Sequence, residues 1–217
     1  TNIIAADDGN LWVTTYWKGI EYFDKGTGHF SHYNTATVPG LASDNIWTVA
    51  DGGNGKLYIG HVHHGFSILS IKDKKVRNFV HDPNNQNSLP GNEVRCVYKD
   101  MNHNIWVGTN KGLALFNPES ENFIQFNSDG NLSHYIYDIR QLDGNKLWIA
   151  MEFGGIAIMD LSQRLFLLPE QTQFHYIREG DDGYSLSNPS ARCIFQDSFK
   201  NIWTGVWGGG INFLSYE

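Results

Sequence analysis

A short segment recurs five times along the chain, and its spacing leaves few folds open. Each copy is an apolar residue, an aromatic, an apolar residue or Thr, a small residue, a few loop residues, then Gly and another apolar side chain. The copies read LWVTT before Gly19-Ile20, LYIGH before Gly65-Phe66, IWVGT before Gly112-Leu113, LWIAM before Gly155-Ile156 and IWTGV before Gly210-Ile211. The aromatics Trp12, Tyr58, Trp106, Trp148 and Trp203 stand 46, 48, 42 and 55 residues apart. Repeats of this length, each holding several strand-like runs, are the spacing of propeller blades.

The third repeat shows the pattern most fully. Val94–Lys99 is a β-rich run, DMNHN at 100–104 a turn cluster, and Ile105–Thr109 a second strand. Leu113–Asn117 and Phe123–Asn127 complete an antiparallel meander. First strands are expected at Ile46–Ala50, Ile136–Gln141 and Ala191–Gln196, with a shortened one at Ile3–Ala6. The reading is all-β: a β-propeller of about five four-stranded antiparallel blades, part of a larger ring of the seven-bladed type. The blades fall at about 1–34, 45–81, 93–127, 135–179 and 190–217, and the fifth stops after its third strand, Ile211–Tyr216. Leu165–Gln173 reads as an insertion in the fourth. No segment sustains a helical apolar period.

The five core aromatics are expected to be buried at equivalent positions. The Gly after each core strand is expected to allow positive φ or close packing. The Asp, Gly and Asn residues before the core strands read as turn chemistry, since no turn gathers enough oxygens for calcium.

Composition narrows the partners. Of 217 residues 41% are hydrophobic and 14% aromatic, enough for a sheet core, and the net charge is −7. With no Lys/Arg cluster, nucleic acid and membrane contact are not expected. No apolar run is long enough to span a bilayer. Thr1-Asn2-Ile3-Ile4 already lies inside a repeat, so no signal peptide is read and the chain reads as a piece of something longer. Cys96 and Cys193 both lie ten residues before a core aromatic, in blades three and five. They read as two small, buried, reduced thiols too far apart to bridge.

These residues resemble the two-component regulator propeller repeat. Asp100 to Leu113 (DMNHNIWVGTNKGL) carries its pattern, with Asn102 and His103 around the usual Gly, and Asp197 to Ile211 (DSFKNIWTGVWGGGI) does so with Val206 for Thr. The connector appears as DPNNQNSL at 82–89 and in part as Ser185-Leu186. The resemblance implies the periplasmic sensor region of a hybrid two-component system histidine kinase of gut bacteria. Further blades, an Ig-like domain, a membrane helix and the kinase would lie elsewhere in the parent. It implies a signal that is a breakdown product of a plant or host polysaccharide.

Aligned on the core aromatic, the position eleven residues upstream is Thr1, Trp47, Arg95, Tyr137 and Arg192. Aromatics and arginines between apolar neighbours are not what core packing asks for. They suit a sugar or uronate: flat faces for stacking and planar donors for hydroxyls or a carboxylate. The connection between second and third strands adds Tyr16-Trp17, His61 to His64, Glu152-Phe153 and Trp207. The candidate ligand-binding residues are Trp47, Arg95, Tyr137, Arg192, Trp17, His63, Phe153 and Trp207. The competing reading has these aromatics filling gaps between blades.

His61 and His63 would share one face of an extended run, but two imidazoles make no closed metal site. Asp138 and Glu152, from one blade, are the carboxylates that could approach the channel mouth as a glycosidase pair. No metal, cofactor or catalytic residue is expected. The expected role is ligand sensing, with an oligosaccharide as partner. A structural or dimerisation propeller is the second reading and a carbohydrate-active enzyme the third. Open end blades are expected to drive self-association, as a homodimer or otherwise, or to leave the chain only marginally stable alone.

Overall fold

In the computed structural model, residues 2–126, 132, 134–142, 144–162 and 168–215 are described. Thr1 of the upstream column, Asn127, Asp143, residues 165–167 of the expected insertion and Tyr216 lie outside these.

Among the described residues the chain forms five antiparallel meander sheets in succession, four of four strands and one of three. Blade one holds β1 (Ile3–Ala5), β2 (Leu11–Thr15), β3 (Gly19–Phe23) and β4 (Phe30–Tyr33). Blade two holds β5 (Ile46–Gly53), β6 (Lys56–His61), β7 (Phe66–Ser70) and β8 (Val76–Phe79). Blade three holds β9 (Val94–Lys99), β10 (Ile105–Thr109), β11 (Gly112–Asn117) and β12 (Asn122–Phe126). Blade four holds β13 (Ile136–Leu142), β14 (Lys146–Met151), β15 (Gly155–Asp160) and β16 (Phe174–Ile177). Blade five holds β17 (Ala191–Gln196), β18 (Ile202–Val206) and β19 (Gly210–Leu214). A 3-10 turn, Pro169–Gln171, lies within the expected insertion. The fold is therefore the all-β propeller architecture that the repeat predicts.

The first strands β1, β5, β9, β13 and β17 pack against one another in order and line the axis. A cavity of about 310 Å³ runs along β1, β5, β9 and β13. The core is not one cluster but four, one in each seam between successive blades. In the seam of blades three and four, Trp106, Leu113 and Leu115 meet Ile136, Ile139, Leu147 and Ile149. Each seam removes both facing sheets from water, so a blade's stability depends on its neighbours.

The turn aspartates do more than turn the chain. Asp100 accepts from the backbone N–H of Asn102 (2.9 Å) and Asn104 (2.8 Å), and its other oxygen accepts from Trp106 Nε1 (2.9 Å). Asp197 repeats the arrangement, accepting from Trp203 Nε1 at 3.0 Å. Turn and core aromatic are thereby fixed as a unit.

Two burial expectations fail, both in blade five. Trp203 is 39% exposed whereas Trp12, Tyr58, Trp106 and Trp148 are buried. Cys193 is exposed whereas Cys96 is buried. Both residues lie on the face of blade five that, in blade three, is covered by blade four. The expected strand Ile46–Ala50 also runs on to Gly53, taking in part of the expected turn.

Candidate functional site

Four inner strands share an irregularity at their first turn of register. Ile46 pairs with His61 but Thr48 with Gly60, which leaves Trp47 as an extra residue. Arg95, Tyr137 and Arg192 are the extra residues at the same place in β9, β13 and β17. A β-bulge leaves its additional residue unpaired and re-aims its side chain. Buried residues stand on both sides of Trp47, Arg95 and Tyr137, Ile46 and Thr48 around Trp47, for example, while each bulge residue is itself half-buried; beside Arg192, Ala191 is buried and Cys193 exposed.

The re-aimed side chains meet in one ladder. The Arg95 guanidinium lies over the Trp47 ring at 4.6 Å, and also within reach of Tyr135 (5.0 Å) and Tyr137 (5.2 Å). Arg192 lies over Tyr137 at 3.8 Å and over Trp207 at 5.0 Å. At the other end the Tyr16 ring packs edge-on to Trp47 (5.3 Å) and to Trp17 (4.7 Å). Alternating cations and π faces attract through the ring quadrupole, each contact worth about 0.5–2 kcal/mol depending on burial.

Two carboxylates hold the ladder from outside. Glu152 Oε1 accepts from Tyr137 Oη and from Arg192 Nη2, both at 3.0 Å. Glu93 accepts from Tyr135 Oη (3.3 Å) and lies 3.7 Å from Arg95 Nη2 and 3.7 Å from His63 Nδ1. Burial, then the bond to Glu152, raises the Tyr137 phenol above its usual range. Three donors in the ladder, Trp47 Nε1, Arg95 Nε and Arg192 Nε, are buried with no acceptor among the described residues. Beside Glu93 a hollow of about 490 Å³ is lined also by His63, His81, Asn110 and Lys111.

Of the candidate residues, Trp47, Arg95, Tyr137 and Arg192 form the ladder, Trp17 and Trp207 stand at its ends, and His63 reaches it through Glu93. Phe153 is 69% exposed at φ 57°, and its recorded bond is from its backbone N–H to Ser190 Oγ (3.2 Å). It is not brought into the ladder. Glu93 and Tyr135 were not among the candidates. Both lie thirteen residues before the core aromatic, two before the bulge column, where period-two counting extended past the strand start would have found them.

The histidine expectation is corrected. His61 and His63 do not share a face. His61 is fully buried, bonded through Nε2 to Ser67 Oγ at 2.8 Å, and burial lowers its pKa to about 4. His63 is exposed, because the strand ends at His61 and the chain bends. The carboxylate pair is also divided. Asp138 is buried, accepts from the Ile139 N–H (3.0 Å) and the Ile194 N–H (2.9 Å), and pins blade four to blade five, whereas Glu152 serves the ladder. Burial pushes the Asp138 carboxyl up. Among the described residues no three His, Cys, Asp or Glu converge as a metal site.

Successive blades, with an aromatic–guanidinium ladder across the end where the inner strands begin, define a propeller architecture with an aromatic and cationic surface at one end of its axis. The family model for "Two component regulator propeller" matches residues 88–111, within blade three and the connector before it. The extracellular domain of a putative hybrid two component system from B. thetaiotaomicron is 56% identical, with a TM-score of 0.85 over 99% of this chain and 26% of that one. The extracellular domain of a putative one component system from the same organism is 20% identical, with a TM-score of 0.75, and shares the fold over 28% of its length. A curated relative, "Histidine kinase P4" of Formosa agariphila, is 30% identical over 86 residues, which is 6% of its length. The chain thus spans about a quarter of the solved relatives and a small part of the curated one.

Proposed function

We propose that this chain is a ligand-sensing segment of a longer two-component receptor, a histidine kinase, placed on the periplasmic side of the membrane. It forms five blades of a larger ring. The ladder at the mouth of the channel recognises an oligosaccharide and does no chemistry on it. The observation that supports this reading is the set of four register-equivalent bulges that turn Trp47, Arg95, Tyr137 and Arg192 into one surface. Bulges re-aim side chains and are frequent beside functional sites. Flat aromatic faces suit sugar C–H groups. The similarity, at 56% identity, to the extracellular domain of a putative hybrid two component system supports the placement. Among the described residues no helix is long and apolar enough to cross a membrane.

The test is a calorimetric screen of plant and host oligosaccharides against the full-length protein, repeated with Trp47→Ala. Binding lost or weakened at least tenfold in the variant is expected. Binding that the variant leaves intact would move the site elsewhere.

A second reading has the segment serving assembly. It is favoured by one observation: Phe195, Trp203, Ile211 and Phe213 make an exposed apolar face on blade five. Such faces drive association, either with a second copy or with a further blade. Sedimentation at increasing concentration tests it. A monomer at all concentrations, in a chain that melts cooperatively at high temperature, would count against self-association.

A further inference from the structure

The guanidiniums of the ladder already have counter-charges. Arg192 Nη2 lies 3.0 Å from Glu152 Oε1, and Arg95 Nη2 lies 3.7 Å from Glu93 Oε2. All four side chains are 20–29% exposed, so these charges face one another with limited screening. The carboxylates are also held from a second side, Glu152 by the Tyr137 hydroxyl and Glu93 by the Tyr135 hydroxyl. Two cations and two anions leave the ladder with no net charge to offer.

We infer that Glu93 and Glu152 set the charge class of the ligand: the mouth takes neutral oligosaccharides and rejects those bearing carboxylate or sulfate groups. This rests on the ligand-binding reading above and narrows it. Arginines and aromatics alone, as the sequence presents them, fit a uronate as well as a neutral sugar. The carboxylates remove that ambiguity. An acidic sugar brought to Arg95 or Arg192 would either displace the carboxylate already paired with it or sit beside it, and like charges at such a distance repel. What the ladder leaves for a ligand is uncharged: the aromatic surfaces of Trp47, Tyr135, Tyr137 and Trp207. The net charge of −7 acts in the same direction at longer range. Lys111 is the cation in the hollow beside Glu93, and its exposed charge is screened by solvent.

The experiment uses matched pairs differing only in charge: β-1,4-mannotetraose against the tetramannuronate, cellotetraose against its C6-oxidised tetramer, and xylotetraose against its glucuronyl-substituted form. Each is titrated into the full-length wild type and into Glu93→Gln and Glu152→Gln, with melting curves confirming that the variants fold. The neutral member of any pair that binds should bind at least about tenfold more tightly in the wild type. The Gln variants, which keep the shape but free the arginine charge, should narrow or reverse that ratio. An acidic member that binds as tightly as its neutral partner would overturn the inference and leave oligosaccharide recognition standing. A wild-type preference that neither Gln variant alters would remove Glu93 and Glu152 from the role. No binding by any member of any pair would overturn both this inference and the reading beneath it.

Discussion

Blades three and five carry nearly the same face and meet different fates. In blade three, Tyr98, Trp106 and Leu115 stand across three strands, with Cys96, Gly108 and Leu113 in the next row. In blade five the corresponding rows are Phe195, Trp203 and Phe213, then Cys193, Gly205 and Ile211. The aspartate that grips the tryptophan indole is present in both, at 2.9 Å and 3.0 Å. Yet Trp106 is fully buried and Trp203 is 39% exposed. The glycines show the same contrast. A Cβ on Gly108 would stand 2.7 Å from Ile136 of blade four, whereas the atom that one on Gly205 would meet is Cys193 Sγ of its own blade. Gly155 is closed in by the carbonyl of Ile177 on the fourth strand, whereas Gly210, in a blade of three strands, has nothing near it. Local chemistry makes the blade, and the adjoining blade supplies most of its burial.

The largest effect that could break this comparison is a paired truncation. Trp106→Ala should cost about 3–5 kcal/mol in urea unfolding, as buried aromatic truncations do. Trp203→Ala should cost about 1–2 kcal/mol in the same chain, for its partial burial and its bond to Asp197. Equal costs would mean that the seam is not what stabilises a blade.

A buried titrating group sharpens the point. His61 lies inside blade two with its pKa lowered by burial from 6.5 to about 4. The unfolded chain therefore binds the proton first, and stability fully present above pH 6.5 is lost as pH falls toward 4, by roughly 3 kcal/mol over that window. Thermal melts from pH 7 to 4.5 should show the fall, and His61→Gln should flatten it. A wild-type curve flat to pH 4.5 would show that His61 is not enclosed.

The smallest effect separates the thiols. Cys193 is exposed, while Cys96 is buried and its pKa raised by that burial. In native protein one thiol should react with a disulfide reagent within minutes and the other only on unfolding. Two fast thiols would contradict the seam between blades three and four.

The repeat made the strands legible, because each β-rich run is short, bounded by turn residues and copied in register. The bulge column was legible by contrast, since Trp47, Arg95, Tyr137 and Arg192 interrupt apolar neighbours. The bulges themselves were not, because Trp47 and Val49 share parity in any straight strand and only pairing with β6 reveals the extra residue. Glu93 and Tyr135 escaped because they precede the first paired residue of β9 and β13. His61 was misplaced because composition does not show where a strand ends. The exposure of Trp203 and Cys193 was beyond reach for a different reason: burial here is a property of two blades, and the residues of one cannot report it.

The most direct test of the site is hydrogen exchange on the full-length protein, with and without a saturating mixture of neutral plant cell-wall oligosaccharides. Protection should appear at the starts of β5, β9, β13 and β17 and in the connections carrying Tyr16, Glu152 and Trp207. Protection confined to the aspartate turns at the other end of the channel, or to the outer face of blade five, would contradict the account.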